Sequence, residues 1–174
     1  IEPYASQARE ELRKRAQDID AFIAPCDYYA ASMADTMAVS PERIDVIPLG
    51  LDLKGHHTLP VAAPEEPAED PSDEPFVVAY LARICPEKGL HLLVDAVVQL
   101  LRDRGPNAVT LRVAGYLGKN DAPYFAKCAA RMAEAGFEAQ FEHLGEVARA
   151  TKIDMLAHAH VLCVPTVYQE PKGL

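Results

Sequence analysis

Phe76-Val77-Val78-Ala79-Tyr80-Leu81, followed by Ala82-Arg83-Ile84-Cys85-Pro86-Glu87-Lys88-Gly89, is the stretch that decides the fold. An unbroken apolar run of this length, without polar alternation, fits a strand covered on both faces, as in a parallel sheet. A helical pattern follows, so the stretch reads as strand, turn and helix. A second buried run, Val161-Leu162-Cys163-Val164, leads to Pro165 and then to Glu170-Pro171-Lys172-Gly173-Leu174. In a parallel α/β sheet, ligands bind beyond the carboxyl ends of strands, where the strand order reverses. A cationic turn at one strand end and an acidic one at its neighbour suit an anion that carries hydroxyl groups.

Working outward, the order after residue 75 is β-α-β-α-β-α-β. Strands are predicted over 76–82, 109–114, 139–144 and 160–164. The first helix should bury Leu93, Ala96, Val97, Leu100 and Leu101, and Gly105-Pro106 should close it. The second should be capped by Asp121, carry Pro123 in its first turn, face Phe125, Cys128, Ala129 and Met132 inward, and end at Gly136. A third helix passes through Ile153, Leu156 and Ala157. Strands alternating with helices of this length predict an α/β fold with a doubly wound parallel sheet.

Upstream, residues 53–75 set prolines among acids: Pro60, Pro64, Pro67, Pro71 and Pro75 with Glu65, Glu66, Glu69, Asp70, Asp73 and Glu74. Such a segment cannot bury enough apolar surface to fold, and it reads as a linker. Residues 1–52 before it read as a short αβαβ piece. It comprises a helix over 4–18 with the stripe Ala8, Leu12, Ala16 and Ile19, a strand at 21–25, a helix through Tyr29, Met33 and Met37, and a strand at 44–48. The basic residues Arg9, Arg13, Lys14 and Arg15 around that stripe read as a solvated face.

Composition bounds the functions. The chain of 174 residues is 49% hydrophobic and 25% charged, with a net charge of −9. Bulk charge argues against nucleic acid as a partner, although a local basic site can still hold phosphate. The apolar runs are strand-sized, far below the roughly 20 residues of a membrane span. The start has no signal-peptide pattern and no initiator methionine, which suggests an excised piece of a longer chain. Cys26, Cys85, Cys128 and Cys163 form no Cys-x-x-Cys pair and read as reduced thiols in a cytoplasmic setting.

Arg83 and Lys88 are the first candidate site residues. A guanidinium forks onto two phosphate oxygens, and an ammonium acts as a point charge on a second phosphate. Gly89 would let the backbone approach a ligand where free N–H groups of the helix start favour anions. Glu87 reads as a cap or a solvated charge. Spacing alone leaves open that Arg83 and Lys88 are unrelated surface residues. Glu170 follows the fourth strand, which flanks the first in the usual order of such sheets. Its carboxylate could accept bonds from sugar hydroxyls, with the N–H groups of Lys172, Gly173 and Leu174 meeting phosphate, or it could be an exposed cap. A nucleotide diphosphate joined to a sugar fits this set. His56, His57, His158 and His160 have no third ligand at metal-site spacing, and no metal is expected. The sequence has no Gly-x-Ser-x-Gly elbow, P-loop or Gly-x-Gly-x-x-Gly.

The stretch Ala79-Tyr80-Leu81-Ala82-Arg83-Ile84-Cys85-Pro86-Glu87-Lys88-Gly89-Leu90 resembles the "GRL-x-PEKG" segment of family 4 glycosyltransferases, which have the GT-B fold. Val164-Pro165-Thr166-Val167-Tyr168-Gln169-Glu170-Pro171-Lys172-Gly173-Leu174 is similar to their "P-S-x-x-E-P-x-G-L" segment. Ile44-Asp45-Val46-Ile47-Pro48-Leu49-Gly50-Leu51-Asp52 is similar to their "V-I-P-N-G-V-D" segment. Order and spacing agree, with Ala82 where glycine is usual and Leu49 where asparagine is usual.

This resemblance implies a retaining, metal-independent enzyme that uses a nucleotide-sugar donor and no cofactor. It makes Arg83 and Lys88 the pair that neutralises the donor diphosphate, and Glu170 the first glutamate of a Glu-x7-Glu pair holding donor-sugar hydroxyls. Gly145-Glu146-Val147 would pack the nucleotide base against backbone. Residues 1–52 would be the end of the acceptor-side domain and 76–174 the first part of the donor-binding domain. The remainder of the chain would be a necessary partner, with the fragment inactive alone. The parent enzyme is expected to be cytoplasmic, with peripheral membrane association as an alternative, and its acceptor is unspecified. Two rivals stay open: a phosphorylase or sucrose-synthase type of enzyme on the same fold, and a non-catalytic module that binds a phosphate-bearing partner.

Overall fold

The computed structural model describes residues 2–50, 52–56 and 74–168. These fall into two compact units that part between Asp52 and Leu53. The first contains α1 (Glu2–Ala16), β1 (Phe22–Ala24), α2 (Asp27–Met37) and β2 (Ile44–Val46). The two strands pair in parallel, with Phe22 opposite Ile44. Its core is small: Ala16, Ala24, Val39 and Ile44, with Phe22, Tyr29, Met33 and Met37 packed around them.

Two arginines close the helices of this unit. Arg43 donates to the carbonyls of Ala16 (3.0 Å) and Ile19, beyond the end of α1. Arg13 donates to the carbonyls of Thr36 (3.0 Å) and Asp35 (3.3 Å) at the end of α2. Terminal helix carbonyls lack intrahelical donors and carry the negative end of the dipole, so cationic donors stabilise them. Arg13 therefore does more than solvate a face. The expected α1 stripe is corrected as well: Ala16 is buried, whereas Leu12 and Ile19 are exposed. Two three-residue strands and one other helix offer too little surface to cover a whole stripe.

The second unit contains β3 (Phe76–Leu81), α3 (Leu90–Arg104), β4 (Val109–Ala114), α4 (Ala122–Glu134), β5 (Phe141–Gly145), α5 (Arg149–Ala157) and β6 (Val161–Leu162). The sheet runs β5-β4-β3-β6, and every pairing is parallel. The chain steps outward from β3 through β4 to β5, then returns to place β6 on the other side of β3. The order therefore reverses between β3 and β6, as the sequence predicts.

Helices cover both faces. Leu93, Val97 and Leu101 of α3 and Cys128 and Met132 of α4 pack on Val78, Tyr80, Leu111 and Val113. On the opposite face Met155 of α5 meets Ala79 and Ala114. That sandwich explains why Val77, Val78, Ala79 and Tyr80 are buried in succession.

Four local expectations change. The buried face of α3 is Leu90, Leu93, Val94, Val97, Val98 and Leu101, whereas Ala96 is exposed and Leu100 is 43% exposed. Apolar residues occupy two adjoining stripes of α3, and periodicity cannot say which one meets the sheet. Asp121 makes no side-chain cap for α4; its carboxylate lies beside Gly118 instead. A 3-10 turn at Glu138–Gln140 delays β5 to Phe141. The last strand is shorter than predicted, Val161–Leu162 in place of 160–164, and His158 caps the end of α5. His160 does serve the ladder, its Nδ1 accepting the Val77 N–H at 2.9 Å while its ring stacks on Phe76.

Residues 57–73, most of the expected linker, lie outside the described residues. Just before them, the Arg149 guanidinium of α5 donates to the Lys54 carbonyl at 2.8 Å. A Cβ on Gly55 would stand 3.3 Å from Ile153 Cδ1. Among the described residues no helix is long and apolar enough to cross a membrane.

Candidate functional site

The candidate site lies at the carboxyl ends of β3, β4 and β6. Beyond β3 the chain stays extended alongside β4, with Ala82 N–H donating to Ala114 O (3.3 Å) and Ile84 N–H to Tyr116 O (2.8 Å). Ile84 is fully buried and anchors the turn. The Tyr80 hydroxyl, buried under the turn, donates to the Arg83 carbonyl at 3.1 Å. Burial pushes that phenol well above its ordinary range. The Arg83 backbone is thereby held from below while its side chain is exposed.

A single 3-10 turn, Pro86–Lys88, then delivers Gly89 to the start of α3. Gly89 has φ +72°, and a Cβ there would stand 1.8 Å from the Pro165 carbonyl oxygen. The close approach that glycine permits at this position is therefore to the segment following β6. Val167 N–H, on that segment, donates to Glu87 O at 2.9 Å. The Lys88 ammonium sits 5.5 Å from the centroid of the Tyr168 ring, within cation–π range. Tyr168, missed in the sequence reading, is thus a neighbour of Lys88, two residues before Glu170.

Charge at the turn is mutually supporting. Contact with the Cys85 side chain, and then Tyr168 and Glu87, holds the Arg83 guanidinium even more firmly protonated than usual. The Glu87 carboxylate is held below its ordinary range by its own backbone N–H, then by Cys85 and Arg83. It caps neither the 3-10 turn nor α3 and stands as an exposed charge, the second of the two readings its position allowed. The helix start is less open than expected. Gly89 N–H goes to Pro86 O, Leu92 N–H to Gly89 O, and His91 N–H to the Tyr124 hydroxyl. Attraction for an anion here comes from the two side-chain cations more than from free N–H groups.

At the other end of the sheet, Gly145 closes β5, its carbonyl accepting the Gly115 N–H at 2.8 Å. A Cβ on Gly145 would stand in open space. Val147 packs against the small cluster of Ala79, Ala114 and Met155. Gly115 has φ +146°, and a Cβ there would stand 1.8 Å from Ala82 O, so glycine lets β4 close against the β3 extension. The structure therefore gathers Arg83, Lys88 and Gly89 on one turn and sets Gly145 and Val147 two strands away. Glu170, Lys172, Gly173 and Leu174 lie outside the described residues. Among the described residues no three His, Cys, Asp or Glu side chains come together as metal ligands.

A separate cleft of about 440 Å³ opens between α3 and α4, lined by His91, Asp95, Tyr124, Lys127 and Arg131 among others. Four of these polar side chains pair with one another. Arg131 pairs with Asp95 at 2.9 Å, and the Tyr124 hydroxyl shares a bond with His91 Nδ1 at 2.9 Å. Burial pushes Tyr124 up to about 12. The cleft contains no residue of the Arg83–Lys88 turn.

The family model "Glycosyl transferases group 1" matches residues 63–174. D-inositol 3-phosphate glycosyltransferase of Segniliparus rotundus is 34% identical over 84 residues, 48% of this chain and 18% of that protein. Among solved structures, HepE of Anabaena in complex with UDP and glucose superposes with a TM-score of 0.72 at 22% identity. It covers 95% of this chain and 44% of its own. Sucrose-phosphate synthase of Thermosynechococcus elongatus gives 0.72 at 19% identity, over 100% of this chain and 40% of its own. These structural likenesses show a shared GT-B, Rossmann-like fold. The chain spans less than half the length of each of these proteins.

Proposed function

This chain belongs to the group 1 glycosyltransferases, and we propose that it forms part of the donor site of a retaining, family 4 type enzyme. The donor is a nucleotide-diphosphate sugar. HepE, which shares the fold, was solved with UDP and glucose, which supports that donor class. The observation that carries the reading is the placement of Arg83 and Lys88 on one hydrogen-bonded turn beside the β3/β6 reversal.

In the transfer, the bond between the sugar's anomeric carbon and the diphosphate oxygen breaks, and the diphosphate leaves with the electron pair. The acceptor hydroxyl oxygen bonds to the same carbon and gives up its proton to the departing diphosphate oxygen. Negative charge grows on the leaving diphosphate, where Arg83 and Lys88 compensate it in place of a divalent ion. The base lies along the backbone of Gly145, Glu146 and Val147. Glu170 holds the donor-sugar hydroxyls, with the N–H groups of Lys172, Gly173 and Leu174 on phosphate; their roles rest on the resemblance of segment 164–174. The acceptor is selected elsewhere in the protein, and the setting is cytoplasmic or membrane-peripheral.

Calorimetric titration with UDP, GDP, ADP and their sugars tests this directly. Wild-type protein should bind at least one nucleoside diphosphate. Lys88→Met and Arg83→Met should each weaken that binding by about ten- to a hundred-fold, the worth of one charge-assisted phosphate contact. If none of the three nucleotides binds, the functional reading fails. If they bind equally well to Lys88→Met, the phosphate assignment fails.

A further inference from the structure

Tyr116 stands two residues beyond the end of β4, after Gly115, and is 57% exposed. The β3–β4 register pairs Leu81 with Ala114 and is unbroken at the bridge between Ile84 and Leu117, so Arg83 falls opposite Tyr116. Successive residues of an extended chain face opposite sides. Ile84 is buried and Leu117 packs against the core, so Arg83 and Tyr116, each one residue earlier, turn outward together. Ile84 N–H fixes the Tyr116 carbonyl at 2.8 Å. The ring edge rests over Gly118, with Cε1 3.7 Å from where a Cβ would stand. A large aromatic face is thus held at the rim by its backbone while its ring remains open to solvent.

Sheet order gives this position a meaning. β4 lies between β3 and β5, so Tyr116 stands between the turn bearing Arg83 and the strand end at Gly145. Neighbouring strands are about 4.8 Å apart, which separates the ends of β3 and β5 by about 10 Å. A ligand with its diphosphate at Arg83 and the edge of its base against Gly145 lays the face of that base over the end of β4, where Tyr116 stands. We propose that Tyr116 is the aromatic platform on which the donor nucleoside stacks, a specificity-determining contact that tolerates any base but requires one. This rests on the donor-site reading given above. Ring faces stack on bases irrespective of their hydrogen-bonding edges, so Tyr116 would add affinity without choosing among uridine, guanosine and adenosine.

The test compares the nucleoside diphosphate that binds wild-type protein best with inorganic pyrophosphate as a competitor lacking a nucleoside. Tyr116→Leu should weaken the nucleoside diphosphate about ten-fold or more and leave pyrophosphate within about two-fold, while Tyr116→Phe keeps both. Binding of the nucleotide unchanged in Tyr116→Leu overturns the proposal. So does equal weakening of both ligands, or a Tyr116→Phe variant as weak as Tyr116→Leu, which would assign the effect to the fold or to the hydroxyl. Tyr116→Trp, which preserves a stacking face, should bind the nucleotide at least as well as wild type; weakened binding in a folded Trp variant counts against stacking. Failure of wild-type protein to bind any nucleotide is a different outcome and sinks the donor-site reading itself.

Discussion

Replacing Gly89 with alanine tests whether the Arg83–Lys88 turn is locked to the segment after β6. Two penalties are expected. At φ +72° a side chain costs about 1–2 kcal/mol relative to glycine. The added Cβ would also stand 1.8 Å from the Pro165 carbonyl oxygen, and backbone atoms on the two sides must part by more than about 1 Å. Parting strains or breaks the 2.9 Å bond from Val167 N–H to Glu87 O, a loss of roughly 1 kcal/mol. Together these predict destabilisation of about 2–4 kcal/mol. A melting temperature lowered by about 5–15 °C follows for a domain of this size.

Gly136→Ala is the control. Gly136 has φ +83°, and a Cβ added there would meet open space, so the substitution should carry the conformational penalty of about 1–2 kcal/mol alone, about 3–7 °C. Thermal unfolding of the two variants side by side measures the difference. Equal melting temperatures would refute the close packing of Gly89 on Pro165, and with it the idea that this contact sets Lys88 beside Tyr168.

Two further outcomes are expected. Desolvation lowers the pKa of His143, whose ring lies 4.2 Å from that of Phe125. The unfolded chain therefore takes up the proton first, so the contribution is present above the ordinary histidine value and is lost as pH falls below about 6.5. Urea midpoints at pH 7.5 and 5.5 should fall less steeply with acid in His143→Gln than in wild type, and a parallel fall would contradict this. Thiol titration of the native protein without reductant should find Cys26 reacting fast and partly exposed Cys163 more slowly. Buried Cys85 and Cys128 should react only on unfolding, with four thiols in total; rapid labelling of Cys85 or a total below four would be inconsistent with the structure.

The parallel, doubly wound sheet was legible in the amino-acid order alone, because a strand buried on both faces must read as continuous apolar residues, and 76–81 does. So was the sharing of one turn by Arg83 and Lys88, since that follows from chain connectivity over a few residues. The adjacency of β3 and β6 could be read through the usual order of such sheets, although the ladder itself is a contact between residues some 80 positions apart. The partners of each side chain emerged only on folding. Periodicity shows that α3 has an apolar face, but the packing against Val78, Tyr80 and Leu111 chose Leu90, Val94 and Val98 over Ala96 and Leu100. A glycine at position 89 signals a special backbone, yet nothing local says that Pro165 fills the space. Arg13 and Arg43 look like surface charge until the helix ends they cap are folded beside them. Tyr116 gained its meaning once the register set it opposite Arg83. Period, turn and charge depend on neighbours along the chain, so local sequence carries them; which surfaces meet depends on the free energy of the whole packed arrangement.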